Sequence, residues 1–207
     1  AVYPTEDLAA LAQIALERDL YLISDEAYRL FVYDKVKSSS LFDIEAIRHL
    51  LITTRSFSKN YAMTGFRVGY IAAPQEFIQA VAGLQSHMTG NVCTFAQHGA
   101  LASLDMDARD LEGWRADMEH KRDYASRWAL ELFDCVMPRG AFYLFPNVWH
   151  HLKGGLTSAA LAGRLLENSG VAVVPGEVFG MGGHIRISYA VSQDRLVSGF
   201  EKIAEAL

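Results

Sequence analysis

The sequence predicts an α/β region followed by a smaller α+β region, joined through one long helix. Three short apolar runs in the first half, at 20–24, 50–54 and 68–72, are separated by stretches with helical spacing. Such alternation builds a sheet with helices on its faces. An amphipathic stretch then runs over 107–133. Beyond it the texture changes, with strand-like runs at 140–145, 171–174 and 185–189 interleaved with helical segments.

Each element has a local reason. Thr5 can cap a helix whose first turn holds Glu6 and Asp7, both favourable at the positive end of the helix dipole. Leu8, Leu11, Ala12 and Ala15 then recur at helical spacing. The first three strands are nearly continuous apolar runs and suit a sheet covered on both faces. Pro74 fits the first turn of a helix running to about Met88, and a second helix covers Val92 to Leu104. Leu111, Trp114, Met118, Ala125, Trp128 and Leu132 form the apolar stripe of the long helix. Pro146 ends the strand Gly140 to Phe145. Gly170 stops a helix over Thr157 to Glu167, and Ser192 can cap a final helix reaching about Leu207. The division gives domains over 1–110 and 111–207, with no internal repeat.

Composition narrows the function. The 207 residues are 51% hydrophobic and 21% charged, an ordinary globular balance with length enough for a sizeable core. A net charge of −5 without a basic run argues against nucleic acid as partner. No apolar stretch is long enough to span a bilayer, and the N-terminus lacks the basic-then-apolar pattern of a signal peptide. Cys93 and Cys135 fall inside the expected helices. They read as buried, reduced thiols of a cytoplasmic protein, not as a disulfide or metal framework. The seven histidines show no metal-ligand spacing.

Four pieces carry chemistry. Asp25-Glu26-Ala27-Tyr28 follows a strand, where open α/β sheets place their ligands. Ser56, Ser58 and Lys59 follow the next strand. Arg67 precedes the third. His184, Arg186 and Ser188 alternate along the last strand, opposite Ile185, Ile187 and Tyr189. Taken singly, each has a plainer reading: an Asp turn, a polar loop with a solvated lysine, a surface arginine, an ordinary outward strand face. Together they meet one set of needs. A pyridoxal 5'-phosphate site requires an amine for the aldehyde, an anion for the ring nitrogen, a phosphate cradle and a clamp for the substrate carboxylate. Lys59, Asp25, Ser56 with Arg67, and Arg186 supply these in turn.

The chain resembles the fold-type-I pyridoxal-phosphate enzymes, specifically the class I/II aminotransferases. The matching stretches are Ser24 to Tyr28, Ser56 to Tyr70, Gly140 to Tyr143, Val173 to Gly176, and Phe179 through Tyr189, in family order. The resemblance implies a fold: part of a mostly parallel, three-layer large domain that binds the cofactor, plus a C-terminal α+β small domain. It also implies roles. Lys59 would hold pyridoxal 5'-phosphate as an aldimine and move the substrate proton. Asp25 would pair with the ring nitrogen, and Tyr28 would bond the ring oxygen. Ser56, Ser58 and Arg67 would bind the phosphate, and Arg186 the α-carboxylate. The reaction would move an amino group between an L-amino acid and a 2-oxo acid, with an aspartate-like flavour.

The family pattern carries Asn-Pro-x-Gly ahead of a segment like Ala1-Val2-Tyr3. The resemblance therefore implies a missing N-terminal half, and a homodimer of the full enzyme. Other readings stay open at this stage. A lyase or decarboxylase of the same fold uses the same lysine and aspartate, and the chain can be read as an inactive structural fragment. Ser56-Phe57-Ser58-Lys59 also satisfies Ser-x-x-Lys, an acyl-enzyme motif, although its companion Ser-Asp-Asn and Lys-Thr-Gly elements are missing.

Overall fold

The computed structural model describes residues 2–207; Ala1, which opens the expected first domain, lies outside the described residues. The chain divides into two compact units between Gly113 and Trp114, against an expected division at 110/111. The long helix runs through this boundary.

In the first unit, α1 (Thr5–Arg18) leads to β1 (Leu22–Asp25). Then come β2 (Leu51–Ser56), the short helix α2 (Phe57–Asn60) and β3 (Gly69–Ala72). Helices α3 (Gln75–Met88), α4 (Thr94–Ser103) and the start of α5 (Ala108–Leu132) follow. The sheet is mixed, in order β1-β2-β3. β1 and β2 are parallel, with Leu22 opposite Leu51 and Asp25 opposite Thr54. β3 returns antiparallel, with Thr53 opposite Ala72 and Ser56 opposite Gly69. That approach requires glycine, because a Cβ on Gly69 would stand 2.8 Å from the Arg55 carbonyl oxygen.

One core of this unit joins Ala12 of α1 to Leu41, Ile47 and Leu51. A second joins Phe57, Met63 and Val68 to Ala96 and Ala100 of α4. The expectation of a sheet covered on both faces is not met here: Ile23 is 72% exposed, and Tyr70 and Ile71 are also exposed. Among the described residues no further strand pairs with β1 or β3.

The second unit takes the rest of α5 and adds β4 (Tyr143–Leu144), α6 (Ser158–Ser169), β5 (Val174–Pro175), β6 (Ile185–Ser188) and α7 (Gln193–Ala206). β6 is central, antiparallel to β4 on one side and β5 on the other. The alternation expected for this strand holds: Ile185, Ile187 and Tyr189 are buried. Leu161 and Leu165 of α6 and Leu196, Phe200 and Ile203 of α7 are buried as well. Gly170 ends α6 in the left-handed conformation, φ 67°.

Several local expectations shift. Pro4 and Pro74 stand at the N-cap positions, and Thr5 is already helical, its hydroxyl bonded to that of Ser39 at 2.7 Å. Ser192 makes no side-chain cap bond. The buried line of α5 is Arg122, Ala125, Ser126 and Ala129, so of the expected stripe only Ala125 is on it. Trp128 instead stacks on Phe200 at 6.2 Å. Neither cysteine is inside a helix: Cys93 is the exposed N-cap of α4, and Cys135 follows α5. No described helix is long and apolar enough to cross a membrane.

Candidate active site

Because β1 and β2 are parallel and in register, their chains leave the sheet at the same end, side by side. Loops at the carboxyl ends of neighbouring parallel strands are where α/β folds gather functional groups. Asp25 closes β1 and is exposed. Its Oδ1 accepts a hydrogen bond from the Ala27 backbone N–H at 3.1 Å, which fixes the carboxylate over the turn that follows. Tyr28 is half-buried in that turn.

β2 ends at Ser56, whose Oγ accepts from the Ser58 N–H at 3.2 Å and caps α2. Phe57 is buried in the core beneath, so the loop is anchored by one apolar side chain. Ser58 is buried and Lys59 half-buried. The Thr64 hydroxyl donates to the Ser58 carbonyl at 2.9 Å, closing the loop on itself. Arg67 sits in the left-handed region, φ 54°, unusual for a residue with a side chain. From there its guanidinium donates to Thr64 O at 3.1 Å and to Ser58 Oγ at 3.5 Å. The Phe57 N–H bonds Val68 O at 3.1 Å, so the Ser56 and Arg67 segments are held together.

A network that sequence reasoning did not single out ties the two strand ends. Arg55 donates through Nε at 3.0 Å and a terminal nitrogen at 2.8 Å to Oε2 of Glu26. Ser40 donates to Oε1 of the same carboxylate, and Arg55 also donates to the Tyr70 hydroxyl at 3.3 Å. Burial works against the Arg55 charge, but the bonds from Tyr70 and Glu26 outweigh it and raise its pKa above the ordinary arginine value. A second tie runs from the Leu30 N–H to Oδ1 of Asn60 at 3.3 Å. Glu26 and Asn60 thus lock the turn carrying Tyr28 to the loop carrying Lys59. A cavity of about 320 Å³ opens beside these ties, lined by Arg29, Leu30, Arg55, Ser56, Asn60 and Tyr61 among others. The parity of β2 was a usable signal, since it turns Arg55 away from Ser56 and toward Glu26, the acid just past the end of the neighbouring β1.

The structure therefore brings together Ser56, Ser58, Lys59 and Arg67, with Asp25 and Tyr28 on the adjoining strand end. Arg186 belongs to the second unit, on β6. Its guanidinium carbon lies 4.4 Å from the Tyr143 ring centroid and 4.8 Å from that of Phe179.

Comparison with known proteins identifies the family of the chain. The family model for aminotransferase class I and II matches residues 1–203. A probable aspartate/prephenate aminotransferase of Aquifex aeolicus is 41% identical across 100% of this chain, and an aspartate aminotransferase of Bacillus subtilis is 36% identical across 98%. The solved aromatic aminotransferase of Pyrococcus horikoshii superposes with a TM-score of 0.90 at 35% identity, covering 100% of this chain and 56% of its own. The chain spans 54% and 53% of the two curated relatives, about half their length. The acyl-enzyme reading of Ser56 and Lys59 finds no support among these relatives. From Asp25 at one strand end to Arg186 on the last, the residues stand in a frame shared along nearly the whole chain, which belongs to the aminotransferase class I and II family.

Proposed function

We propose that this chain is the C-terminal part of a pyridoxal 5'-phosphate-dependent aminotransferase that moves an amino group between an L-amino acid and a 2-oxo acid. The observation that carries this reading is the pairing of two parallel strand ends, one bearing Asp25 and Tyr28, the other Ser56, Ser58 and Lys59, with Arg67 bonded to the second. The donor set fits the cofactor: one amine, one carboxylate, one phenol, and a guanidinium beside hydroxyls. When bound, the cofactor supplies an aldehyde for covalent attachment and a ring that accepts the electrons left at the substrate Cα.

Each residue then has a task its chemistry suits. Lys59 holds the cofactor and, once displaced, its Nζ takes the proton from the substrate Cα; arginine cannot do this because it stays protonated. Asp25 would pair with the ring nitrogen, its negative charge favouring the protonated form. The Tyr28 hydroxyl would bond the ring oxygen. Ser56, Ser58 and Arg67 hold the phosphate, the guanidinium already steered by Thr64 O. Arg186 clamps the α-carboxylate.

Relatives named for aspartate, prephenate and aromatic amino acids support an acidic or aromatic amino donor. The edges of β1 and β3, unpaired among the described residues, and the exposed Ile23 support a sheet continued by the N-terminal half of a longer enzyme. A homodimer in the cytoplasm completes the reading, as the family resemblance implies.

The test is chemical. The chain, alone and with the N-terminal half of a relative added, is incubated with pyridoxal 5'-phosphate, reduced with borohydride and mapped by peptide mass. Lys59 is expected to carry the label, and Lys59→Ala to lose it. A label fixed at another lysine in the assembled enzyme overturns the assignment.

A further inference from the structure

Arg186 is half-buried, yet no hydrogen bond or ion pair from a described residue engages its guanidinium. A buried cation without an acceptor is costly unless something else holds it. What holds it is aromatic. β6 is the central strand, so its neighbours approach Arg186 from opposite sides: Tyr143 on β4, which lies opposite Ser188, and Phe179 beyond β5, where Val174 lies opposite Arg186. Both rings lie within cation–π range of the guanidinium carbon, at 4.4 and 4.8 Å.

Phe179 is itself braced. Phe145 meets it edge-on at 5.8 Å, and His184 stacks on Phe145 at 5.1 Å. Phe179 closes a tight turn begun at Gly176, whose N–H donates to His184 O at 2.7 Å. A ring over a guanidinium engages its face and leaves the in-plane N–H groups available. Those groups match the two oxygens of a carboxylate.

We propose that Tyr143 and Phe179 are positioning residues that hold the Arg186 guanidinium with its donor edge ready for a carboxylate; this rests on the reading of Arg186 as the carboxylate clamp. The rings restrict a side chain that otherwise has many rotamers, so less freedom is lost when the ligand binds. Losing one ring weakens carboxylate binding about fivefold. The loss comes from orientation, since the charge remains.

Propionate serves as probe and the Arg186 Nε–H resonance of the 207-residue chain as readout, assigned by its disappearance in Arg186→Lys. In the wild type the resonance shifts saturably with propionate. In Phe179→Leu the midpoint rises about fivefold, and in Phe179→Tyr it returns to within about twofold of wild type. A Phe179→Leu titration that overlays the wild type overturns the positioning role while leaving the clamp intact. A wild-type resonance that does not respond to propionate overturns the clamp itself.

Discussion

Glu26→Gln tests whether the two strand ends are locked by charge. The side chains of Glu26 and Arg55 are 9% and 22% exposed, so the pair is mostly out of water. Removing one member of a buried pair costs about 3–5 kcal/mol, whereas a fully exposed pair contributes about 0.2–1 kcal/mol. With Arg55 partly wetted, about 2 kcal/mol is the expected loss. The substituted glutamine keeps the volume and one acceptor oxygen, but Arg55 is left with the neutral Tyr70 hydroxyl as its main remaining partner.

For a chain of this size unfolding in one transition, about 2 kcal/mol lowers Tm by roughly 4–8 °C. Calorimetry of wild type, Glu26→Gln, Arg55→Met and the double variant gives the coupling directly, expected near 2 kcal/mol. Moderate salt should change it little, because buried pairs are weakly screened. A coupling below about 0.5 kcal/mol would refute the argument and reduce the pair to a surface contact.

Two further outcomes follow from the second unit. A methyl added at Gly176 would collide with the Met181 carbonyl and stand 2.8 Å from the His184 carbonyl, both backbone atoms. Gly176→Ala is therefore expected to cost about 3 kcal/mol, while Gly163→Ala in α6, with open space around it, gains about 0.5–1 kcal/mol. Fluorescence melts read both, since Trp114, Trp128 and Trp149 all lie in this unit; equal shifts of the same sign would sink the steric account. Burial pushes the Cys135 thiol above its ordinary pKa, so less of it is thiolate at pH 8. Iodoacetamide should modify exposed Cys93 first, with Cys135 gaining rate only as pH rises further, as peptide mapping over time would reveal.

Much of this arrangement was legible in residue order alone. Apolar runs place strands because burial selects them, and β1, β2 and β6 fall within two residues of the expected ranges. The faces of β6 follow from alternation, since a period of two leaves no freedom once Ile185 is inside. Cover is less legible. The apolar character of Ile23 and Ile71 says they suit burial, but an element packed on the sheet face must supply it, and Ile23 is 72% exposed. The buried face of α5 also escaped hydropathy. Small side chains such as Ala129 pack closest, and Arg122 enters because Pro138 O accepts a hydrogen bond from it and the Glu119 and Asp123 carboxylates stand within ion-pair distance. Cys93 was misplaced for a simpler reason: α4 begins at Thr94, two residues later than the spacing suggested.

The two units fix their functional side chains by different physics, and the difference follows from what each side chain does. In the proposed reaction Lys59 exchanges a proton and a covalent bond, and its loop is held by others: Ser56 and Thr64 bond the backbone, Phe57 anchors it, and Asn60 ties it across to Leu30. Arg186 keeps one charge throughout and only has to aim it. A carboxylate partner in the protein would aim it but would also compete for the same donors as a ligand. Aromatic rings aim it without competing. Tyr143 and Phe179 beside Arg186 are therefore an arrangement suited to a guanidinium reserved for an incoming anion, whereas Arg55, bonded to Glu26 and Tyr70, is already occupied and serves to hold the fold.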